Sequence, residues 1–412
     1  MIFFRAVPMA ALLLACGSRT GLDGSDAGSD AGMDSASDSA VRIPCPEFVS
    51  DANAPVSGLA MQLALGDFHT CARIGMDVWC WGLGNAGQLG DGTTTSRSRP
   101  VRVEKLIAAT DIASGPAFEH YCGGSRGSHT CAVLSGGAVS CWGSNIEGEG
   151  DYRIAHPTLI PSVVPDLAAA TQVAVGGYHH CALLADTTVR CWGSSLYGAL
   201  GDGTLTGGTK GAVAVQGLKN VQQVGVGHFH SCALLLDGSV SCWGNNEGGE
   251  LGDGTHTTRA VPAPVVGLSK ATAISTAWHG TCALLVDRTV ACWGSGINSA
   301  GELGHGWMEN QQPRPVKVVG LQDAMQISVA MLSACVVIGD GTVRCWGRVQ
   351  YTTPQPPTRV KGLVNMLEVK TADGHACSRD GSGGAWCWGG NFAGQLGDGT
   401  IASRAAPVRV LP

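Results

Sequence analysis

The sequence predicts an all-β protein, a seven-bladed β-propeller with four antiparallel strands per blade. Three observations carry that prediction. Cys-Trp-Gly recurs at Cys80, Cys141, Cys191, Cys242, Cys292, Cys345 and Cys387, with spacings of 61, 50, 51, 50, 53 and 42 residues, and a period near 50 signals a propeller or solenoid. Within the clearest unit, 212–218, 221–227, 230–236 and 239–244 are short β-prone runs separated by Gly or Asp-Gly. Glycine supplies 61 of 412 residues, well above the usual share, as many tight turns demand. Four-stranded blades set radially bury their faces against each other and leave only short edges.

Taken from the N-terminus, the chain opens with one positive residue, Arg5, an apolar run through Leu12, Leu13 and Leu14, and a small residue before a cysteine. That is a secretory signal, too short to span a bilayer. Leu13-Leu14-Ala15-Cys16 resembles the bacterial lipobox, which implies removal of residues 1–15 and lipidation of Cys16. Gly17 and Ser18 follow instead of Asp, and the resemblance then favours the outer membrane. The alternative is a plain signal peptide with Cys16 incidental. Residues 16–44 carry Asp23, Asp26, Asp30, Asp34 and Asp38 among Gly, Ser and Ala, too few apolar side chains to offset ordering entropy. They read as a flexible tether holding a folded head, 45–412, away from the membrane.

The first clear unit begins at Met61 with the second strand of a blade, and the chain finishes Pro407-Val408-Arg409-Val410-Leu411, a first strand with no unit after it. The C-terminal strand is therefore expected to complete the first blade and close the ring. Pro55-Val56-Ser57-Gly58-Leu59 imitates the same strand and is its rival.

Each unit pairs a cysteine before a hairpin turn with one after it: Cys71 and Cys80, Cys131 and Cys141, Cys181 and Cys191, Cys232 and Cys242, Cys282 and Cys292, Cys335 and Cys345, Cys377 and Cys387. Six pairs are ten residues apart, as a three-residue loop such as Leu236-Asp237-Gly238 requires if the cysteines are to stand opposite each other. The first pair is nine apart, and there Gly75-Met76 makes a two-residue turn that restores the opposition. Opposed residues lie about 4.5 to 5.5 Å apart at Cα, within disulfide range, so seven cross-strand disulfides are expected. Each closes a short loop and stabilises by roughly 2 to 3 kcal/mol on the chain-entropy model. A zinc site would want clustered thiolates, whereas these pairs are dispersed around a ring, so no metal is expected. Reduced, buried cysteines are the other alternative, tied to the signal reading being wrong. Cys45 and Cys122 remain, and a Cys45–Cys122 bridge would pin the tether to the ring.

Gly-x-x-His-Thr-Cys-Ala, Asp-Gly, Cys-Trp-Gly, Gly-Gln-Leu-Gly-Asp-Gly-Thr and Pro-Val-x-Val, in that order, resemble the regulator of chromosome condensation repeat family over roughly 85% of the chain. The resemblance implies a seven-bladed propeller. Unit two departs through an insertion between Gly115 and His129, unit five carries Gly280 and His305 at the usual His and Asp, and unit six lacks the Gly-x-Leu-Gly-Asp-Gly loop. Eukaryotic members of the family act as guanine nucleotide exchange factors and bind chromatin, and secreted bacterial members include an inhibitor of β-lactamase. The resemblance extends these options to this chain as alternatives.

The remaining repeated residues read as scaffold. His69, His129, His179, His230 and His375 are expected to be buried side chains bonding the backbone of their own blade. Asp91, Asp202, Asp253 and Asp398 head Asp-Gly-Thr turns, with Asp bonding local amides and Gly supplying positive φ. The repeated tryptophans, Trp81, Trp243 and Trp388 among them, fill space between blades. Unrepeated residues are the better binding candidates. Trp79 and Trp386 precede the hairpin cysteine in units one and seven, which closure makes neighbours, and they are expected to pair on one surface or to pack at the seam. Trp278 and Trp307 are unrepeated in unit five, and exposed Trp is a typical interface anchor.

No catalytic constellation, nucleophile elbow or phosphate loop is present in the sequence, and no cofactor is expected. With 26 basic against 32 acidic residues the chain has no basic patch, so nucleic acid is excluded as a partner. The expected function is an exported, lipid-anchored, monomeric scaffold that presents loops to a protein or glycan at the cell envelope. An enzyme with a site at the channel mouth is the other class, and unrepeated carboxylates or histidines at one mouth would favour it. Glu119, His120 and Tyr121 are the only such local group in the sequence.

Overall fold

The structure, a computed structural model, describes residues 48–49, 58–116, 128–145, 156–205, 208–295, 303–304, 311–347 and 355–411. Residues 1–44 with Cys16, and Cys45, Pro55–Ser57, Glu119, His120, Tyr121, Cys122, His305 and Trp307 lie outside the described residues.

Seven sheets of four antiparallel strands each make the blades. Blade 1 is β2 (Ala60–Leu65), β3 (His69–Ile74), β4 (Asp77–Gly82) and β5 (Ser96–Arg102), and β1 (Phe48–Val49) adds to its outer edge parallel to β5. The innermost strands are β2, β6 (Ala109–Ser114), β10 (Ala170–Val175), β14 (Val221–Val226), β18 (Ala271–Thr276), β22 (Ala324–Val329) and β26 (Met366–Thr371). Each touches the innermost strand of the next blade, and β26 touches β2, which closes the ring around a channel. One face, here the upper, carries the turns between first and second strands and the Asp-Gly-Thr loops. The lower face carries the hairpins between second and third strands and the links from blade to blade.

Period-two alternation explains the repeated motif. In the paired second and third strands, the cysteines point to one side of the blade while the flanking Ala and Trp point to the other. Each interface then sets the cystine of one blade against the Ala and Trp of the next: Cys181 and Cys191 pack with Ala233 and Trp243, and across the seam Cys377 and Cys387 pack with Ala72 and Trp81. All seven ring tryptophans are essentially fully buried. The indole N–H groups of Trp81, Trp142, Trp243 and Trp293 donate to a loop carbonyl of the preceding blade, as in Trp81 to Gln395 O at 2.9 Å and Trp243 to Ala199 O at 2.9 Å.

All seven expected cysteine pairs are disulfide-bonded, with Cα–Cα distances of 4.0–4.1 Å, just under the spacing anticipated for opposed residues. The turns that set this register are those the spacing implies. Gly238 sits at φ 84° in its three-residue loop, and in blade 1 Gly75 at φ 62° opens a two-residue turn that leaves Ile74 opposite Asp77. The Asp-Gly-Thr loops also behave as turn chemistry: Asp91, Asp202, Asp253 and Asp398 each accept from the amide and hydroxyl of the Thr two residues on.

The allocation of the outer strand differs from the sequence reading. The 212–218 run forms β13 (Thr209–Ala214), which pairs with β12 (Val189–Ser194) of the preceding unit, so each blade begins one strand later than expected. By the same rule the C-terminal strand β29 (Arg404–Leu411) pairs with β28 (Ala385–Gly389) and completes blade 7, not blade 1. The reason is local: the Asp-Gly-Thr loop after Cys-Trp-Gly reverses the chain back onto the strand it has just left. A bond from Arg404 to Asp398 at 2.7 Å fixes that return. The ring closes by packing and side-chain bonds across the seam, without a shared blade.

Candidate functional site

The repeated histidines bridge blades, which corrects the expectation that each bonds its own blade. His69 Nε2 lies 2.8 Å from Thr130 Oγ1, His179 Nε2 2.7 Å from Ser231 Oγ, His230 Nε2 2.9 Å from Thr281 Oγ1, and His375 Nε2 2.9 Å from Thr70 Oγ1. In each case the hydroxyl belongs to the residue after the His position in the following blade. His129 meets His180 at that position, packs ring to ring at 4.4 Å, and bonds Gly176 O at 3.1 Å instead. The strand geometry explains the outcome: the His side chain lies on the same side as the cystine and so faces the next blade.

The bridge is missing between blades 5 and 6, where Gly280 replaces His and Ala334 replaces the hydroxyl residue. A cavity of about 20 Å³ opens there, lined by Trp278, His279, Gly280, Ser295, Leu303 and Met331 among others. Above it, the turns of blades 3, 4 and 5 place a run of rings around the upper mouth. Tyr178 stacks on Phe229 with centroids 4.7 Å apart and an interplanar angle of 13°. Tyr197 meets Phe229 edge-on at 5.1 Å, and His228 lies 4.2 Å from Trp278, which in turn lies 6.0 Å from His279. Burial holds the His228 pKa down at about 3, so the ring is neutral and packs as an aromatic.

One charge is buried under this arc. Glu250 is 2% exposed, accepts the Gly248 amide at 2.8 Å and the Ser295 hydroxyl at 3.3 Å, and lies 3.5 Å from His279 Nδ1. Burial alone pushes its pKa up, but the contact with His279 and the other hydrogen bonds bring it below the ordinary value. Blades 1 and 7 carry Gln88 and Gln395 at this place, holding the amides of Ala86 and Ala393. The arc can stack against planar or apolar ligand faces, with His279 and Ser295 offering polar contacts beside the cavity.

Of the four sequence candidates, Trp278 belongs to this arc and Trp307 lies outside the described residues. Trp79 and Trp386 do not come together. Both sit at the same register on the side that faces the preceding blade, so Trp79 packs at the seam with Leu63 and Leu411, while Trp386 packs one groove away with the cluster of Cys335 and Cys345. Arg409 covers Trp386 at 5.4 Å. The sequence reading missed Tyr178, His228, Phe229 and His279. Aligned by repeat, these fall in the one or two residues before the His position, where blades 6 and 7 carry Met331, Leu332, Asp373 and Gly374. Only the ring shows that these turns meet at one mouth.

The channel wall also holds unrepeated carboxylates. Asp111 takes up Val173 N at 2.8 Å and Gln62 Nε2 at 2.7 Å, and Glu368 takes up Leu63 N at 3.2 Å and Arg379 Nε at 2.7 Å. Burial in the wall pushes the Asp111 pKa up even though part of the residue is exposed. At this position Gln172 and Gln223 bridge to the next blade's backbone in the same way, so both acids do a scaffold's work. Among the described residues, no group of three or more His, Cys, Asp or Glu is placed to hold a metal ion.

The fold and its mouth define a disulfide-stapled, seven-bladed β-propeller with a run of aromatic rings around one mouth. Models described as the regulator of chromosome condensation (RCC1) repeat match residues 77–118, 170–199, 221–250 and 237–284. The chain is 28% identical to the Ultraviolet-B receptor UVR8 of Arabidopsis thaliana over 296 residues, 70% of this chain and 65% of that protein. It is 29% identical to the human E3 ubiquitin-protein ligase HERC2 over 212 residues, 50% of this chain and 4% of that protein. The chain thus spans less than two thirds of these curated relatives. Among solved structures, human WBSCR16 superposes with a TM-score of 0.68 at 20% identity, covering 82% of this chain and 94% of its own. Prp20p of Saccharomyces cerevisiae gives 0.60 at 20% identity, covering 75% and 79%.

Proposed function

We propose that this protein is an exported, lipid-anchored, non-catalytic binding head that captures a protein or glycan at the cell envelope through its upper mouth. The observation that carries the reading is the arc of Tyr178, Phe229, His228 and Trp278, rings that follow one another on three successive blades, whereas blade 1 carries the single ring Phe68 at these positions and blades 6 and 7 carry none. Aromatic side chains supply large contact area at little entropic loss, and Trp and Tyr dominate binding hot spots. Export rests on the signal pattern ending at Cys16 and on seven disulfides, a number that suits an oxidising compartment. The solved structure of Prp20p was described with that protein's binding properties toward Gsp1p and histones, which supports protein capture as a use of this fold. The inhibitor and exchange-factor readings remain alternatives of the same kind, differing in the partner.

Intact mass of the protein from its producing cells, with and without reduction, tests the location. Loss of residues 1–15, an added lipid and a gain of about two mass units per bridge on reduction are expected. An unprocessed chain with free thiols would overturn export. Binding of envelope glycans and proteins to the native chain and to Trp278→Ala then tests the mouth, and equal binding by both would remove it as the site.

A further inference from the structure

Several departures from the repeat converge on the cavity between blades 5 and 6. Gly280 replaces the bridging His, and Ala334 replaces the residue that would meet it. Ala273 stands where Gln62, Gln172, Gln223 and Gln326 each accept a backbone N–H of the next blade. A bond from Val329 N to Ser275 Oγ at 3.0 Å still joins the two blades. The opening of about 20 Å³ reaches the upper mouth, where Trp278, His279, Ser295 and Met331 on its wall are partly exposed.

The wall is chemically two-sided. Trp278, Leu303, Val329 and Met331 are apolar, while His279 and Ser295 are polar. Behind the polar pair stands Glu250: the Ser295 hydroxyl donates to Glu250 Oε1 at 3.3 Å, and His279 Nδ1 lies 3.5 Å from the same oxygen. These contacts leave the lone pairs of Ser295 Oγ and, in the neutral ring, His279 Nε2 as acceptors. Blades 1 and 7 hold the neutral Gln88 and Gln395 in the place of Glu250, and Ala86 and Ala393 in the place of Gly248. A Cβ at Gly248 would strike Ser295 Oγ, so the glycine accompanies the acid and admits the Ser295 contact.

Glu250 is buried, and among the described residues no Lys or Arg pairs with it. A buried carboxylate without a cationic partner is costly, and Gln would have avoided that cost. The neighbouring charges lie elsewhere or are already matched. Asp253 pairs with Arg259 at 2.6 Å, Arg314 lies beside Gly254 on the outer strand of blade 5, and Lys370 of blade 7 acts on Asp111 of blade 2. Glu247 is a further exposed acid of the blade 4 loop, and Glu302, His305, Glu309 and Arg348 lie outside the described residues.

We propose that this cavity is a lysine-reading subsite of the upper mouth: it seats the end of one lysine side chain of the partner protein, methylenes against Trp278 and Met331 and ammonium toward Ser295 and His279, with the Glu250 carboxylate as the counter-charge behind them. The proposal rests on the upper mouth being the binding face. Size selects lysine over arginine, because the room is that of about one water-sized group, which a compact ammonium matches and a planar guanidinium exceeds. The Trp278 ring adds cation–π attraction, and exclusion of water under the rings strengthens the pull of Glu250.

The test uses the full chain and fluorescent ten-residue Gly/Ser peptides with a central Leu-Xaa-Leu, in which Xaa is Lys, Nε-acetyl-lysine, norleucine or Arg, and n-butylamine as the free amine. The lysine peptide is expected to bind about tenfold tighter than the acetyl-lysine and norleucine peptides, and tighter than the arginine peptide. Two variants borrow residues that other blades already hold in place. Glu250→Gln removes the charge, and Gly280→His with Ala334→Thr fills the cavity with the missing bridge. Melting curves no lower than the native one show that both fold, and each variant is expected to abolish the preference for lysine. Uniform binding of the four peptides, no binding of the lysine peptide, or a lysine preference that survives either variant would overturn the proposal. Trp278→Ala separates it from the reading beneath it. Peptides that this variant weakens without distinction of Xaa keep the mouth as the site and overturn the lysine subsite, whereas peptides bound equally by the variant and the native chain remove both. Binding of n-butylamine as tight as that of the lysine peptide would make the ligand a free amine and overturn a protein's lysine as the occupant.

Discussion

The imidazole Nε2 of His375 lies 2.9 Å from the hydroxyl of Thr70, a residue 305 positions earlier in the chain. The bond crosses the seam between the last blade and the first and repeats the bridge that joins His69 to Thr130 and His230 to Thr281. Thr70 also donates to Gln395 O at 2.9 Å, where the Trp81 indole N–H arrives as well. The partners vary together along the chain. Where the receiving residue is Ala334 or Ala376, the preceding blade carries Gly280 or Ser333 instead of His, and Ser333 bonds Thr371 Oγ1 at 2.9 Å. A buried imidazole without a partner is costly, so the two positions are coupled through one hydrogen bond.

Breaking the seam from one side should cost more than removing both partners. Thr70→Ala removes the hydroxyl beside His375 Nε2 inside the buried seam and is expected to destabilise by about 1 to 3 kcal/mol. His375→Ser with Thr70→Ala, the combination blades 6 and 7 already use, is expected to cost less than the two single changes added together. Urea unfolding of the four species gives the coupling energy, and strict additivity would show that the bond contributes nothing.

The gap between blades 5 and 6 should accept the missing bridge. A Cβ at Gly280 would lie 3.4 Å from Trp293 O and 3.7 Å from Leu303 Cδ2, ordinary contacts, and the position needs no left-handed backbone. Gly280→His with Ala334→Thr is expected to stabilise by about 1 kcal/mol, whereas Gly280→His alone buries an unbonded ring and does not. Thermal unfolding distinguishes them. A double variant no more stable than the single would show that the interface cannot close around the pair.

Acid should loosen the ring well before the carboxylates titrate. Burial holds His69, His179 and His375 down at about 3 and His230 at about 4, against an ordinary 6.5. The unfolded chain binds more protons than the fold between those values, so stability is full above pH 6.5 and falls as pH drops. Each such ring contributes a slope of about 1.4 kcal/mol per pH unit in that window. Asp287, lowered to about 2 by the Thr289 hydroxyl and amide and by Lys317, adds its loss only below its ordinary value of 3.8. Unfolding midpoints that stay level from pH 7 to pH 5 would contradict the neutral, buried histidines.

Each cystine should contribute separately because each closes its own hairpin. Replacing Cys131 and Cys141 together by Ala is expected to lower stability by roughly 2 to 3 kcal/mol without changing the sheet signal in circular dichroism. Loss of the β-signal at neutral pH would mean that one staple holds more than its own blade.

Much of the fold was legible because its signals are short-ranged. The nine-residue spacing of Cys71 and Cys80 matched a two-residue turn at Gly75, and ten-residue spacings matched three-residue turns such as the one at Gly238, so every disulfide could be read from hairpin arithmetic. The outer strand was misassigned because a run such as 209–214 has the same pattern whichever neighbour it pairs with, and only the Asp-Gly-Thr loop's reversal decides the matter. Of the mouth, Trp278 stood out by breaking the repeat, while Tyr178 and Phe229 did not, being aromatic in a repeat already rich in aromatic residues. The pairing of Trp79 with Trp386 failed because adjacency of blades does not make equivalent side chains face each other.

By itself the sequence determined the number of blades, the four-strand rhythm, the seven cystines and the burial of the ring tryptophans, all consequences of alternation and turn geometry within about fifty residues. Tertiary structure alone decided which blade each histidine bonds, where the ring closes, and that rings from three turns share one mouth while the bulged apolar residues Met61, Met325 and Leu367 of three blades share the other. Those relations join residues far apart in the chain, such as Thr70 and His375, and they exist only once radial packing has brought the first blade against the last.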